Sequence, residues 1–427
     1  MNSTDLTPRL VDAVDALRDD AIDLLRRLVA VPSVTGSEEA VQLVIADEMR
    51  SMGFDEVDVW EPDPVEMATY AESIGAIASF AGRPNVVGTL TGAGHGRSLV
   101  LNAHIDTVDN GDPAFWTTDP LGGEVRDGRL YGRGSCDMKG GLVSELIAVR
   151  ALRAAGTRLA GTVKVQSVIS EEDGGAGTLA AILRGHTGDA AIITEPTRVS
   201  LVTAQGGSLV FRLTVTGKSA HACARNEGVS AIEKFALIHR ALLDHEADHH
   251  AAIEHPLYRA LPIRAPINIG TVRAGTWPSS VPETLVAEGR AGLVPGESLE
   301  GTRAAMLAAI ATVVEADPWL RAHPPVVEWF SGQFNAAEID PASEIATTLA
   351  AAHRAVTGSD ATVAGVTYGA DMRHFIDTAK MPCLMYGAGD VRMAHHADEF
   401  VPVDELLTVA KSLALATVAW CGAAPPE

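Results

Sequence analysis

Cysteine is scarce. Only Cys136, Cys223, Cys383 and Cys421 occur in 427 residues, with no Cys-x-x-Cys pair. Reduced thiols in a cytoplasmic protein are expected, rather than a disulfide framework. Basic residues are also few: 33 Lys plus Arg face 55 Asp plus Glu, for a formal charge of -22. No cluster of Lys and Arg is present, so a nucleic-acid partner is excluded as an expectation. No run approaches the ~20 apolar residues of a membrane helix. The first thirty residues carry Asp5, Asp12, Asp15, Asp19, Asp20 and Asp23 without an apolar stretch, so no signal peptide is expected. Internal repeats and low-complexity tracts are missing too. What remains is 47% hydrophobic and 21% charged, an ordinary globular composition with ample core. At roughly 150 residues per domain the length predicts two to three domains, and the acidic surplus reads as a solvated surface.

Apolar periodicity predicts a helix through Leu10, Val14, Leu17, Ile22, Leu25 and Leu28, stopped by Pro32. A second helix is expected over 38–52, capped by Ser37. Strands are read at 85–90, 98–103, 163–170 and 190–193, alternating with helices at 138–154 and 175–184. Strand, polar turn and helix in repetition predict an α/β fold, a sheet with helices on its faces. Near Gly206 the pattern changes. Strand 209–215, helix 230–245, strands 267–272 and 285–293, helix 299–316 and strand 326–330 predict a compact α+β unit inserted at 205–334. The larger unit is then 1–204 plus 335–427, the latter including a strand at 383–387.

In α/β sheets chemistry collects at the carboxyl ends of the strands. Those ends carry His104 and Asp106, Glu171 and Glu172, and Glu195; Asp137 follows in a Gly-rich turn and His395 and His396 come late. Any one of these acids alone reads as a solvated charge. Phased to one sheet edge with two imidazoles, they read as a two-metal site. The row His245, His249 and His250 reads instead as a solvated helix end. Gly217-Lys218-Ser219 is no phosphate loop, because Arg212 stands where the loop's first glycine would be.

Six motifs extend this reading. They are Leu101-Asn102-Ala103-His104-Ile105-Asp106, Tyr131-Gly132-Arg133-Gly134-Ser135-Cys136-Asp137-Met138-Lys139-Gly140-Gly141, Ser170-Glu171-Glu172, Thr194-Glu195-Pro196, Gly217-Lys218-Ser219-Ala220-His221-Ala222, and Ala394-His395-His396-Ala397-Asp398-Glu399. In this order they resemble the co-catalytic zinc amidohydrolases, the family of acetylornithine deacetylase, succinyl-diaminopimelate desuccinylase, aminoacylase and carboxypeptidase G. The resemblance implies a mixed-sheet catalytic domain interrupted by a ferredoxin-like lid and dimerisation domain. It implies two divalent ions per subunit, Zn or else Mn or Co. Asp137 would bridge them, with His104 and Glu195 on one and Glu172 and His395 on the other. Asp106 would fix the His104 tautomer. Glu171 would shuttle the proton, and the Asp137-Met138 peptide would be cis.

The same resemblance implies that His221 reaches across a homodimer into its partner's site. It also implies that Arg373 clamps a substrate carboxylate, beside Tyr368 and Ser279. Ser279 departs from the family pattern, which carries asparagine before the Val-Pro pair. The expected reaction is hydrolysis of a C–N bond in a small carboxylate-bearing substrate by a metal-activated hydroxide, with an N-acyl amino acid first. Resemblance to 5-nitroanthranilic acid aminohydrolase makes deamination of an aromatic amine the alternative. An inactive metal-binding scaffold is the reading from another class, and the intact Glu171 argues against it.

Overall fold

A computed structural model describes residues 3–424. Its main sheet is mixed, in the spatial order Glu56–Trp60, Asn85–Leu90, Val163–Val168, Leu99–His104, Ala190–Ile193, Cys383–Met385, Leu201–Gln205, Ala337–Glu338, with Val363–Val366 alongside Leu201–Gln205. The four central strands, from Val163–Val168 to Cys383–Met385, run parallel. They are the most apolar because helices cover them on both sides, and Leu99–His104 is buried at every residue. Parallel strands align their carboxyl ends, so His104, Glu171, Glu195 and Tyr386 leave the sheet at one rim.

Helices Ser3–Ala16, Arg18–Val29, Gly140–Ala154, Glu344–Thr357 and Val403–Cys421 pack on one another. Among them Leu10, Leu24, Leu28, Leu142, Leu146, Leu406 and Leu413 are fully or almost fully buried. The apolar stripe expected as one helix over 10–28 is broken at Leu17, which lies outside the helical range with φ -96° and ψ 12°. The second helix is Glu39–Ser51, and Ser37 does not cap it. Glu38 instead accepts two hydrogen bonds from the buried Arg83, at 2.6 and 2.9 Å, and one from the Gly36 N–H. A buried ion pair outranks the local capping preference here.

The chain leaves the main sheet at Gly206. Leu201–Gln205 belongs to it, while Gly207–Thr216 is central in a separate four-stranded antiparallel sheet ordered Ile267–Ala274, Thr284–Leu293, Gly207–Thr216, Val326–Trp329. Gly207 makes this switch possible, since a Cβ there would meet the Phe334 carbonyl oxygen at 2.3 Å. Helices Ala231–Ala252 and Leu299–Ala316 cover one face of the second sheet. Leu209, Phe211, Leu213 and Val215, alternate residues of one strand, meet Ile238, Leu242, Met306 and Ile310 in a core of their own. Among the described residues no helix is long and apolar enough to cross a membrane.

Candidate metal centre

The rim of the parallel strands assembles the cluster one residue at a time. His104 ends its strand fully buried, with Nδ1 2.9 Å from the backbone carbonyl oxygen of Asp106. That carbonyl, rather than the Asp106 carboxylate at 3.7 Å, is the acceptor that leaves Nε2 free to face the cluster. The Asp106 carboxylate does a different job. It accepts the N–H groups of Glu171 and Glu172 at 3.1 and 3.3 Å and the Thr35 hydroxyl at 2.8 Å. It therefore fixes the turn that carries both glutamates.

Asp137 lies in the distorted turn Ser135–Lys139, which contains a cis Asp137-Met138 peptide. Its two oxygens face different imidazoles: Oδ1 is 3.0 Å from His104 Nε2 and Oδ2 is 3.6 Å from His395 Nε2. Glu195 Oε1 is 3.9 Å from His104, and Glu172 Oε2 is 3.0 Å from His395. Ligand atoms of His104, Asp137 and Glu172 lie within 4.8 Å of one another, as do those of His104, Glu171 and Glu195. His395 has φ +58° and is half-exposed, which opens the cluster to solvent on that side. His396 turns away, with Nδ1 2.7 Å from the Ala397 carbonyl oxygen.

Like charges crowd this space. Burial and neighbouring acids push the carboxyl groups of Glu171 and Glu195 well above the usual carboxylate range. Burial raises Glu172 as well. Burial opposes ionisation of Asp137 too, but its hydrogen bond to His104 wins and lowers it. Burial works against the charged form of His104, and the bond to Asp137 with the fields of Glu195 and Glu171 overcomes it. Four carboxylates against two imidazoles leave a surplus of negative charge that cations neutralise. The donor set, carboxylate oxygens with imidazole nitrogens, fits two divalent ions that share Asp137.

The other expected residues divide. Tyr368 faces the cluster: burial and the carboxylates of Glu195 and Asp137 hold its phenol protonated, and its hydroxyl has no partner among the described residues. Arg373 is buried, but its terminal nitrogens are already engaged, at 2.6 Å from the Ser73 hydroxyl and 2.6 Å from the Gly174 carbonyl oxygen. Its guanidinium also lies over the Phe334 ring at 4.1 Å. His221 and Ser279 are neighbours in the inserted domain, where the Ser279 carbonyl accepts the Ala222 N–H at 2.9 Å. His221 is exposed, and its Nδ1 accepts the Cys223 N–H at 3.2 Å, so a neutral ring carries its proton on Nε2.

Two residues were not singled out from the sequence. Glu399 is fully buried and accepts the N–H groups of Cys136 and Asp137 at 2.9 and 3.0 Å and Arg133 Nη1 at 2.6 Å. It sits inside the quoted Ala-His-x-x-Asp-Glu block, which was a usable signal. Arg290, on Thr284–Leu293, is pulled down by burial and held up by the charge of Glu171. Its Nε has no partner among the described residues. Nothing in its local sequence marked it.

A parallel-sheet rim that shares one carboxylate between two imidazole-bearing half-sites is the layout of a dinuclear metallohydrolase. Residues 100–418 match the profile of Peptidase family M20/M25/M40, and the chain belongs to that family. It is a metal-dependent hydrolase acting on C–N bonds. It is similar to N-formyl-4-amino-5-aminomethyl-2-methylpyrimidine deformylase of Bacillus subtilis (strain 168), 27% identical over 431 residues and 96% of each chain. Acetylornithine deacetylase of Myxococcus xanthus is 30% identical over 348 residues, 79% of this chain and 84% of the relative. The di-peptidase Dug1p of Saccharomyces cerevisiae shares the fold, with TM-score 0.77, 15% identity and full coverage of both chains.

Proposed function

We propose that this hydrolase removes a short acyl group from the nitrogen of a small carboxylate-bearing substrate, with N-acyl amino acids first. The observation that carries the reading is Glu171. Its carboxylate reaches the cluster beside His104 and Glu195 without a hydrogen bond of its own among the described residues, and the lid arginine Arg290 feels its charge. A ligand cluster alone needs no such acid. We assign His104, Asp137 and Glu195 to one ion and Asp137, Glu172 and His395 to the other, Zn in both, with Mn or Co accepted. When bound, the ions polarise the acyl oxygen and acidify water. Glu171 takes the proton from the attacking water and hands it to the leaving nitrogen. Tyr368 offers its unpaired hydroxyl to the substrate, and Arg290 and Ser279 supply donors from the lid. Arg373, with both ends engaged, holds the Ser73 and Gly174 segments that frame the catalytic turn.

His221 acts from a partner subunit, and residues 205–334 form the lid and the dimer contact. The exposed strand Ile267–Ala274, paired on one edge only, supports that assembly. The four free cysteines support a cytoplasmic setting. The test is a panel of N-formyl and N-acetyl amino acids, N-formyl aminomethylpyrimidines and amino-nitrobenzoates with the Zn-loaded enzyme. Turnover confined to acylated amino acids is expected, and Glu171→Gln should keep its metal while losing about 100-fold or more in rate. Ammonia release from the aromatic amines, with no deacylation, overturns the substrate class; full activity of Glu171→Gln overturns the mechanism.

A further inference from the structure

Away from that centre, helix Ala231–Ala252 ends in the row Asp244-His245-Glu246-Ala247-Asp248-His249-His250. The fold sets a residue beside it that the local sequence does not contain. Glu297, just before helix Leu299–Ala316, places Oε1 2.5 Å from His249 Nε2. Its other oxygen accepts the Val294 N–H at 2.8 Å, which fixes the carboxylate from behind. His245 stands one helical turn before His249, with ring planes 9° apart and centroids separated by 6.0 Å. Among the described residues the nitrogens of His245 have no hydrogen-bond partner. His245, His249, Glu297, Ser298 and Thr302 line a cavity of about 230 Å³.

We propose that His245, His249 and Glu297 form a further site for one first-row transition-metal dication, of the Zn, Ni or Cu type. The ion clips the end of Ala231–Ala252 to the start of Leu299–Ala316 in the inserted domain. Histidines at i and i+4 share one helix face, so their Nε2 atoms can converge on one ion. Two imidazoles and one carboxylate suit these ions, whereas Ca and Mg want oxygen ligands throughout. The His249–Glu297 contact is of the same kind as the His104–Asp137 and His395–Glu172 contacts at the hydrolytic centre. As placed, the ligand atoms of these three residues are not gathered within 4.8 Å of one another, so the ion completes the set by drawing in His245. The cavity leaves room for water in the remaining positions, at roughly 30 Å³ each.

The Val294 N–H supplies the outer contact that orients a ligating carboxylate. An ordinary ion pair accounts for His249 and Glu297 alone, while His245 on the wall of the same cavity adds the third ligand.

The full-length chain, stripped with a chelator and dialysed to equilibrium against micromolar free Zn2+, tests this by metal count. Wild type should bind one Zn2+ more per chain than His245→Ala, His249→Ala and Glu297→Gln, while hydrolysis by the variants stays at the wild-type rate. The difference between chains reads this site whatever the hydrolytic centre takes up. With the hydrolytic centre already filled with Zn2+, Cu2+ electron paramagnetic resonance gives an independent readout, with two imidazole nitrogens in wild type and one in His245→Asn, a variant that keeps a polar side chain. Equal metal counts in wild type and all three variants, or an unchanged nitrogen pattern in His245→Asn, overturn the proposal.

Discussion

Replacing Glu399 by Gln isolates how the protein holds the shared aspartate. Glu399 is 1% exposed and Arg133 is 4% exposed, and they are paired at 2.6 Å. Gln can still accept the Cys136 and Asp137 N–H groups through its amide oxygen. Its NH2 group then faces the Arg133 guanidinium, donor against donor, and Arg133 loses its counter-charge in a buried setting. Breaking a buried pair from one side costs about 3–5 kcal/mol. Arg133 keeps a long contact to the His396 carbonyl at 3.4 Å and the Trp116 ring at 5.3 Å. A ring contact of this kind is worth about 0.5–1 kcal/mol. A stability loss near 3 kcal/mol is therefore expected, the lower end of that range.

The same substitution puts a neutral amide oxygen where the carboxylate accepted the Asp137 N–H, and weakening such an outer contact lowers metal affinity by up to about 10–100-fold. Urea unfolding of the metal-free chain reads the first quantity, and chelator competition with Zn2+ reads the second. Pairing the change with Arg133→Met removes the orphaned charge. The double variant should recover about 0.5–3 kcal/mol relative to the sum of the single losses, because the second change removes the guanidinium that the first leaves unpaired. If Glu399→Gln lies within about 1 kcal/mol of wild type and binds Zn2+ unchanged, the carboxylate is not what holds Asp137 in place.

Two further tests follow. Glu145, fully buried on helix Gly140–Ala154, accepts the Thr194 hydroxyl at 2.9 Å, and burial pushes its carboxyl well above the usual range. The folded chain keeps that proton while the unfolded chain releases it above about pH 4.3, so this contribution to stability is lost as pH rises toward the folded value, by up to about 1.4 kcal/mol per pH unit. Urea midpoints at about pH 5 and about pH 8 should show a flatter profile for Glu145→Gln than for wild type, and an identical slope in both rejects the assignment. For assembly, His221→Ala and Glu171→Gln are each expected to be inactive, and if His221 acts in trans, subunit exchange leaves one intact site in every heterodimer. Random mixing should therefore restore about a quarter of wild-type activity; no recovery after verified exchange rejects action in trans.

Much of this was legible because strand burial writes itself into composition. Leu99–His104 and Ala190–Ile193 are apolar throughout because both faces are covered, and the acids at their ends are then conspicuous. Gly207–Thr216 alternates because only one of its faces is covered. What sequence could not supply was contact at a distance. The Leu17 break lies within a continuous apolar stripe, and I,I+3 spacing carries no mark of it. Ser37 was the better local cap, and only Arg83, arriving from 45 residues away, shows why Glu38 is committed elsewhere. Arg373 matched a substrate clamp in type and spacing, but its occupied nitrogens are a property of packing. Glu297 meets His249 across 48 residues, so a histidine row that reads as a solvated end acquires a third ligand type only in the fold.

The way the cluster is held bears on what it can do. Its carboxylates repel one another, and a chain that balanced them with arginines would leave no place for ions. Around Asp137 and the Glu171–Glu172 turn, the supporting contacts to the chain are backbone N–H groups: Glu399 grips the Cys136 and Asp137 amides, and Asp106 grips those of Glu171 and Glu172. Among the described residues, the guanidinium of Arg133 pairs with Glu399 from outside the cluster. Orientation is thus supplied without neutralising the ligands, and the negative field stays directed at the space between the two imidazoles. Glu171 shares that field, and Arg290 of the second sheet is the guanidinium that its charge reaches.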